Sequence, residues 1–187
     1  MSDQTEIEAK YQAEVKQADL DHHKPTAGAM SGHIVANLWY FDVKLHQALW
    51  YVKGEQALQL QDFYTELIEN NRQQLDELGA VLLDENEMPP STVAEYTTYT
   101  KLAEDPRIKY EDASEIVLET AHDFTTANMF IDRAIILAQR EHRPALAANL
   151  TDMRGYNNRQ TRKLQALLGK TAWQDLVEVD DDEDDDD

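Results

Sequence analysis

Apolar residues recur along this chain at helical spacing, in long runs with little punctuation. Between residues 30 and 53, Ile34, Leu38, Phe41, Leu45, Ala48 and Val52 follow one another at steps of three and four, with Leu49 beside Ala48. That period lines one face of an α-helix. Trp39, Tyr40 and Trp50 widen the apolar surface beyond one stripe, so this helix needs two partners, a bundle core and a second subunit. Gly54 stops it. A second helix is predicted over 57–84, with Phe63, Leu67, Leu75, Leu78 and Leu82 on one face and Asp62, Glu66, Glu69 and Asp76 on another. Pro89-Pro90 ends that region, and Thr92-Val93-Ala94-Glu95 reads as a capping box opening a short helix. Pro106 breaks the chain again. A third long helix, about 112–140, opens at Asp112 and carries Val117, Ala121, Phe124, Ile131 and Ile135 toward the core. Pro144 suits the first position of a fourth, about 144–168, which stops at Gly169. Before all of these, Ile7, Tyr11 and Val15 mark a shorter amphipathic helix over 5–19. The stretch from His22 to Gly28 is expected to break it.

No strand-like alternation occurs. Four long helices with one long connection, between the second and third, predict an all-α four-helix bundle with a crossover. The expected organisation is an N-terminal helix and linker (1–28), the bundle (29–170) and a tail (171–187).

Composition adds the tail and the compartment. The 187 residues hold no cysteine, six glycines and five prolines, with a net charge of −20. The absence of cysteine excludes disulfides and thiolate metal sites. No apolar run is long enough to cross a membrane, and the N-terminus carries no apolar signal region. A cytoplasmic protein is expected. Residues 180–187, DDDEDDDD, are all acidic and predict disorder. Charge alone predicts no affinity for nucleic acid.

Several short motifs, in order, resemble the Dps (DNA-binding protein from starved cells) family of ferritin-like proteins. Trp50-Tyr51-Val52-Lys53-Gly54 resembles its W-x-V-x-G signature. Leu60 stands at the Leu of its L-H step, Asp76-Glu77 at its D-E step, Pro90-Ser91-Thr92 at its P-x-S-T, and Leu168-Gly169-Lys170 at its L-G-K. The resemblance covers about residues 30–170. It implies a ferritin-like bundle whose short crossover helix packs at a two-fold interface, in a hollow dodecamer of twelve subunits. It also implies oxidation of Fe(II), preferably with peroxide, storage of ferric mineral, and DNA binding beside the nucleoid.

The chain departs from that family at the interface iron site. The resemblance implies His, His, Asp, Asp and Glu there; this sequence has Leu49, Gln61, Thr65, Asp76 and Ala80. Only Asp76 remains, so the usual ferroxidase centre is expected to be absent or badly weakened, because redox iron needs several hard oxygen and imidazole ligands. Glu119-Thr120-Ala121-His122 is a Glu-x-x-His pair, but with Val117, Ala121 and Phe124 inward it points away from the core. Asp42 and His46 share a face at i, i+4, where a hydrogen-bonded or interface histidine is the plainer reading.

Two places remain for cations. Asp62, Glu66, Glu69 and Asp76 fall, by the resemblance, on the inner wall of the shell, where they would bind iron and nucleate mineral; the alternative is a solvated acidic face. Asp19, His22 and His23 at a helix end could hold zinc, iron or another divalent cation; the alternative is an ordinary polar turn. Lys10, Lys16 and Lys24 are the candidate DNA contacts, outnumbered by acids on the same segment. Twelve copies acting together, or divalent cations bridging to phosphate, would compensate. The functional reading is therefore a shell that protects DNA by binding it and sequestering iron. The alternatives are a peroxide-using mini-ferritin with an unconventional acidic site and a purely structural nucleoid protein.

Overall fold

The computed structural model describes residues 4–23 and 25–176. Among them run α1 (Gln4–His23), α2 (Ala27–Tyr51), α3 (Ala57–Asp84), α4 (Val93–Tyr99), a 3-10 turn (Pro106–Tyr110), α5 (Ala113–Arg140) and α6 (Pro144–Leu167). No strand occurs among the described residues. α2 packs on α3 and α5 on α6; α2 against α5 and α3 against α6 close the bundle, and α4 and the 3-10 turn lie on α2.

Local chemistry sets the helix ends. Thr26 caps α2, its Oγ1 accepting the Ala29 N–H at 3.1 Å. At α4 the capping box expected from the sequence is complete: Thr92 accepts from the Glu95 N–H, and Glu95 reaches back to the Thr92 N–H at 2.8 Å. Burial pushes the Glu95 carboxyl up, but hydrogen bonds from Ser91 and Thr92 more than reverse this and hold it below its usual range. α3, α5 and α6 all end in a left-handed residue, Asn86 (φ 60°), His142 (φ 59°) and Gly169 (φ 70°). The next N–H then returns to the helix, as from Glu87 to the Leu82 carbonyl at 2.8 Å and from Arg143 to the Ala138 carbonyl at 2.8 Å. This six-to-one closure satisfies carbonyls that the helix end would otherwise leave bare. It also brings Glu87 and Arg143 together at 2.7 Å.

The core falls into two groups along the bundle. One gathers Phe41, Leu45, Leu60, Tyr64, Leu67, Ile116, Phe124 and Leu164. The other gathers Ile34, Leu78, Leu82, Ile131, Leu146 and Leu150. Most expected inward positions are buried. Ile135 is only half-buried, because Ala134, fully buried, takes the inward position.

Two expectations change. α1 runs through His22 and His23, which were expected to end it; Pro25 restricts only the residue before it. The apolar stripe of α1 stays open, with Ile7, Tyr11 and Val15 about half exposed. The bundle also extends past residue 170. Thr171–Leu176 turns back onto α6, with Gln165 Nε2 donating to the Gln174 carbonyl at 2.6 Å and Leu176 buried in the first core group. The expected disordered tail therefore cannot begin at 171, and its acidic run lies outside the described residues. Among the described residues no helix is long and apolar enough to cross a membrane.

Candidate functional site

The acidic positions of α3 come out as the periodicity requires. Asp62, Glu66, Glu69 and Asp76 are all exposed, on the face opposite Leu60, Leu67, Leu78 and Leu82. None makes a side-chain hydrogen bond or ion pair with another of the described residues. The nearest ionisable consequence is on α6: burial, and next the charge of Glu66, push the Tyr156 hydroxyl up to about 12. The four carboxylates share a face without converging. Among the described residues no group of three or more His, Asp or Glu side chains is close enough to hold a metal ion. One subunit thus offers an acidic surface that attracts cations through its field, and no preformed chelate.

The positions matching the family's interface site are divided. Leu49 and Gln61 are half-buried; Thr65, Asp76 and Ala80 are exposed, and the Thr65 hydroxyl donates to the Gln61 carbonyl at 2.8 Å. Beside them His46 is fully engaged. Its Nδ1 meets the Asp42 carbonyl at 2.7 Å, and its Nε2 faces Arg72 Nη2 at 3.3 Å. Arg72 Nε also donates to Asp42 Oδ1 at 2.9 Å. With one ring nitrogen donating and the other accepting, His46 is a hydrogen-bonded histidine and has no lone pair to spare for a metal.

Sequence reasoning missed the most deeply buried ion pair among the described residues. Lys44 on α2 is buried, with its side chain 8% exposed, and its ammonium reaches Asp123 Oδ1 and Glu119 Oε1 on α5, each at 2.9 Å. It also donates to the Ala103 carbonyl, in the crossover connection, at 2.6 Å. One ammonium, with three protons to give, thus pins α2, α5 and the crossover together. Burial works against the charge on Lys44, but the two carboxylates outweigh it and raise its pKa. For Asp123 burial is the larger effect: the carboxyl is pushed up to about 7 against the pull of Lys44. A cleft of about 310 Å³ lies over this cluster, and Arg107 and Asp105 stand on its rim. Arg107 hydrogen-bonds Asp105 and draws its carboxyl down to about 2. Of the Glu119–His122 pair, Glu119 is engaged by Lys44. A lysine inside the run Phe41-Asp42-Val43-Lys44-Leu45, with acids at i, i+4 on a later helix, was the available signal.

On α1, Lys10 and Lys16 are exposed, and Lys10 pairs with Glu6 at 2.8 Å. Lys24 lies outside the described residues. Asp19, His22 and His23 fall within α1, and their side chains also lie outside the described residues.

A four-helix bundle with one long crossover defines the class, and the ferritin-like domain matches residues 32–172 of this chain. The DpsB protein of Lactococcus lactis MG1363 has the same fold, with 39% identity, a TM-score of 0.86 and coverage of 90% of this chain and 98% of that one. For DpsA of the same organism the identity is 36% and the TM-score 0.85, over 90% and 99% of the two chains. A DNA protection during starvation protein of Listeria innocua is 32% identical over 85 residues, which is 46% of this chain and 54% of that protein. The match thus spans about half the length of that curated relative. The chain belongs to the Dps family of ferritin-like proteins.

Proposed function

We propose that this protein assembles into a Dps-type dodecamer in the cytoplasm, associates with DNA, and takes up iron as cargo on the acidic face of α3. The observation that carries this reading is the face itself. Four carboxylates, Asp62, Glu66, Glu69 and Asp76, stand exposed and unpaired on one helix of a Dps-family bundle. Unpaired oxygens retain their full capacity for a hard cation. Asp76 is the one residue left of the interface set, and a lone carboxylate does not hold redox iron, so the reading assigns no conventional ferroxidase centre. Uptake then depends on many weak sites facing a shared interior. Asp19, His22 and His23 are a second, smaller cation site in this reading. DNA is held through Lys10, Lys16 and Lys24 multiplied over the shell, with divalent cations bridging to phosphate.

The test adds Fe(II) and peroxide to assembled shells and measures iron retained after desalting. Wild type should retain many irons per subunit, and the variant Asp62→Asn/Glu66→Gln/Glu69→Gln several-fold fewer. Retention of no more than a few surface ions by the wild type would rule out storage. In the DNA arm, duplex retarded by the shells should be released by EDTA; retardation indifferent to EDTA removes the cation bridge.

A further inference from the structure

Each of the four bundle helices buries one asparagine: Asn37 on α2, Asn71 on α3, Asn128 on α5 and Asn157 on α6, with exposures of 2, 4, 3 and 4%. On α3, α5 and α6 it falls between the buried residues of one core group and those of the other, and on α2 it stands one residue before the last of the second group, so the four form a polar layer where the two groups meet. A buried amide group left unpaired costs about 1–3 kcal/mol, so each needs a partner. Asn157 Nδ2 donates to Asn128 Oδ1 at 3.0 Å, and Asn128 Nδ2 to Asn158 Oδ1 at 3.3 Å. Asn37 Oδ1 accepts from the Lys101 N–H at 2.7 Å and from the Thr100 hydroxyl at 3.1 Å. Asn71 Nδ2 donates to the Leu38 carbonyl at 2.9 Å. A main-chain N–H must meet an oxygen and a main-chain carbonyl must meet an N–H, so neither Asn37 nor Asn71 can be turned end for end.

One donor and one acceptor remain over. Asn37 Nδ2 and Asn71 Oδ1 are buried without a protein partner. Both residues line the same small cavity at the bundle centre, about 20 Å³ in volume, whose wall is otherwise mostly apolar. A cavity needs roughly 10–15 Å³ and two to four polar neighbours to keep a water.

We propose that this cavity is a binding site for a single water molecule, which accepts from Asn37 Nδ2 and donates to Asn71 Oδ1. The two orphan atoms are complementary, so a molecule offering both a lone pair and a proton satisfies both, and an ion or an apolar atom does not. Gln74 and Asn157, also in the wall, are available to its remaining proton and lone pair. The water joins two brackets that are otherwise separate: Asn37 holds the crossover at Thr100 and Lys101, and Asn71 holds α3 to α2.

The test is crystallographic, on the assembled full-length protein at a resolution that shows ordered water, with a parallel crystal pressurised with xenon. One density peak is expected within about 2.7–3.2 Å of both Asn37 Nδ2 and Asn71 Oδ1, with no xenon in the cavity. In Asn71→Leu, which removes the acceptor and fills the space, that peak should be lost. Xenon in the wild-type cavity, no density there, or a direct Asn37–Asn71 contact overturns the proposal. The wild-type crystals decide the matter even where the variant fails to fold.

Discussion

Two sets of carboxylates in this bundle have been treated in opposite ways. Asp123 and Glu119 on α5 converge on the ammonium of Lys44, and Asp123 is withdrawn from solvent with it. Asp62, Glu66, Glu69 and Asp76 on α3 face solvent with no partner. The first set already has its cation, supplied by the chain, and its charge is spent on fixing the crossover against α2 and α5. The second set has none, so any cation it takes comes from outside. Acidity alone does not mark a metal surface in this protein; the proposed uptake of iron rests on acidity without a counter-charge.

Removing the internal cation should give the largest effect. Lys44→Ala leaves Asp123 buried and unpaired and frees the Ala103 carbonyl. Loss of one partner of a buried pair costs about 3–5 kcal/mol, which denaturant titration at fixed subunit concentration would read. The loss should be greater at pH 8 than at pH 5, where Asp123 can take up a proton. Lys44→Met with Asp123→Leu removes both charges and should recover most of the stability. A double variant as unstable as the single would mean that the contact with Ala103, and not the buried charge, dominates.

A smaller effect is the pH dependence of that pair. The Asp123 carboxyl lies at 3.8 in an ordinary setting and is pushed up to about 7 here by burial. The folded state therefore binds its proton more tightly than the unfolded chain. The contribution is full below 3.8 and is lost as pH rises through about 7. Stability should fall across that window, and Asp123→Asn should flatten the fall. An unchanged slope in the variant would place the titration elsewhere.

The difference between the two sets also explains what the sequence disclosed. Helix positions follow from local period and punctuation, so α3 was legible to the residue and the Thr92–Glu95 box in full. The acidic face was legible for the same reason, because Asp62, Glu66, Glu69 and Asp76 follow at spacings of four, three and seven on one helix. The Lys44 cluster joins residues separated by 75 and 79 positions with a loop carbonyl between them, and no period predicts that meeting. Leu176 was hidden by its neighbours: an acidic run follows it, and the composition of the tail masked one residue that packs. The pairing of His46 with Asp42 was legible as i, i+4, and Arg72 on the next helix was not.

The smallest effect on stability, and the sharpest test of the contrast, belongs to α3. Asp62 and Glu66 stand four apart, and Glu66 and Glu69 three apart. Like charges at these spacings destabilise a helix by about 0.2–0.5 kcal/mol per pair. Asp62→Asn/Glu66→Gln/Glu69→Gln should therefore raise stability slightly at low salt. The gain should vanish near 1 M salt, where the screening length falls to about 3 Å. Manganese, a divalent cation that supplies hard charge without peroxide chemistry, should then stabilise the wild type and leave the triple variant unmoved, because a ligand stabilises only the state that binds it. Neither manganese nor salt should compensate Lys44→Ala, since the buried pair is closed to both. If manganese stabilises wild type and triple variant equally, its sites are not on this face, and the division between occupied and open carboxylates fails.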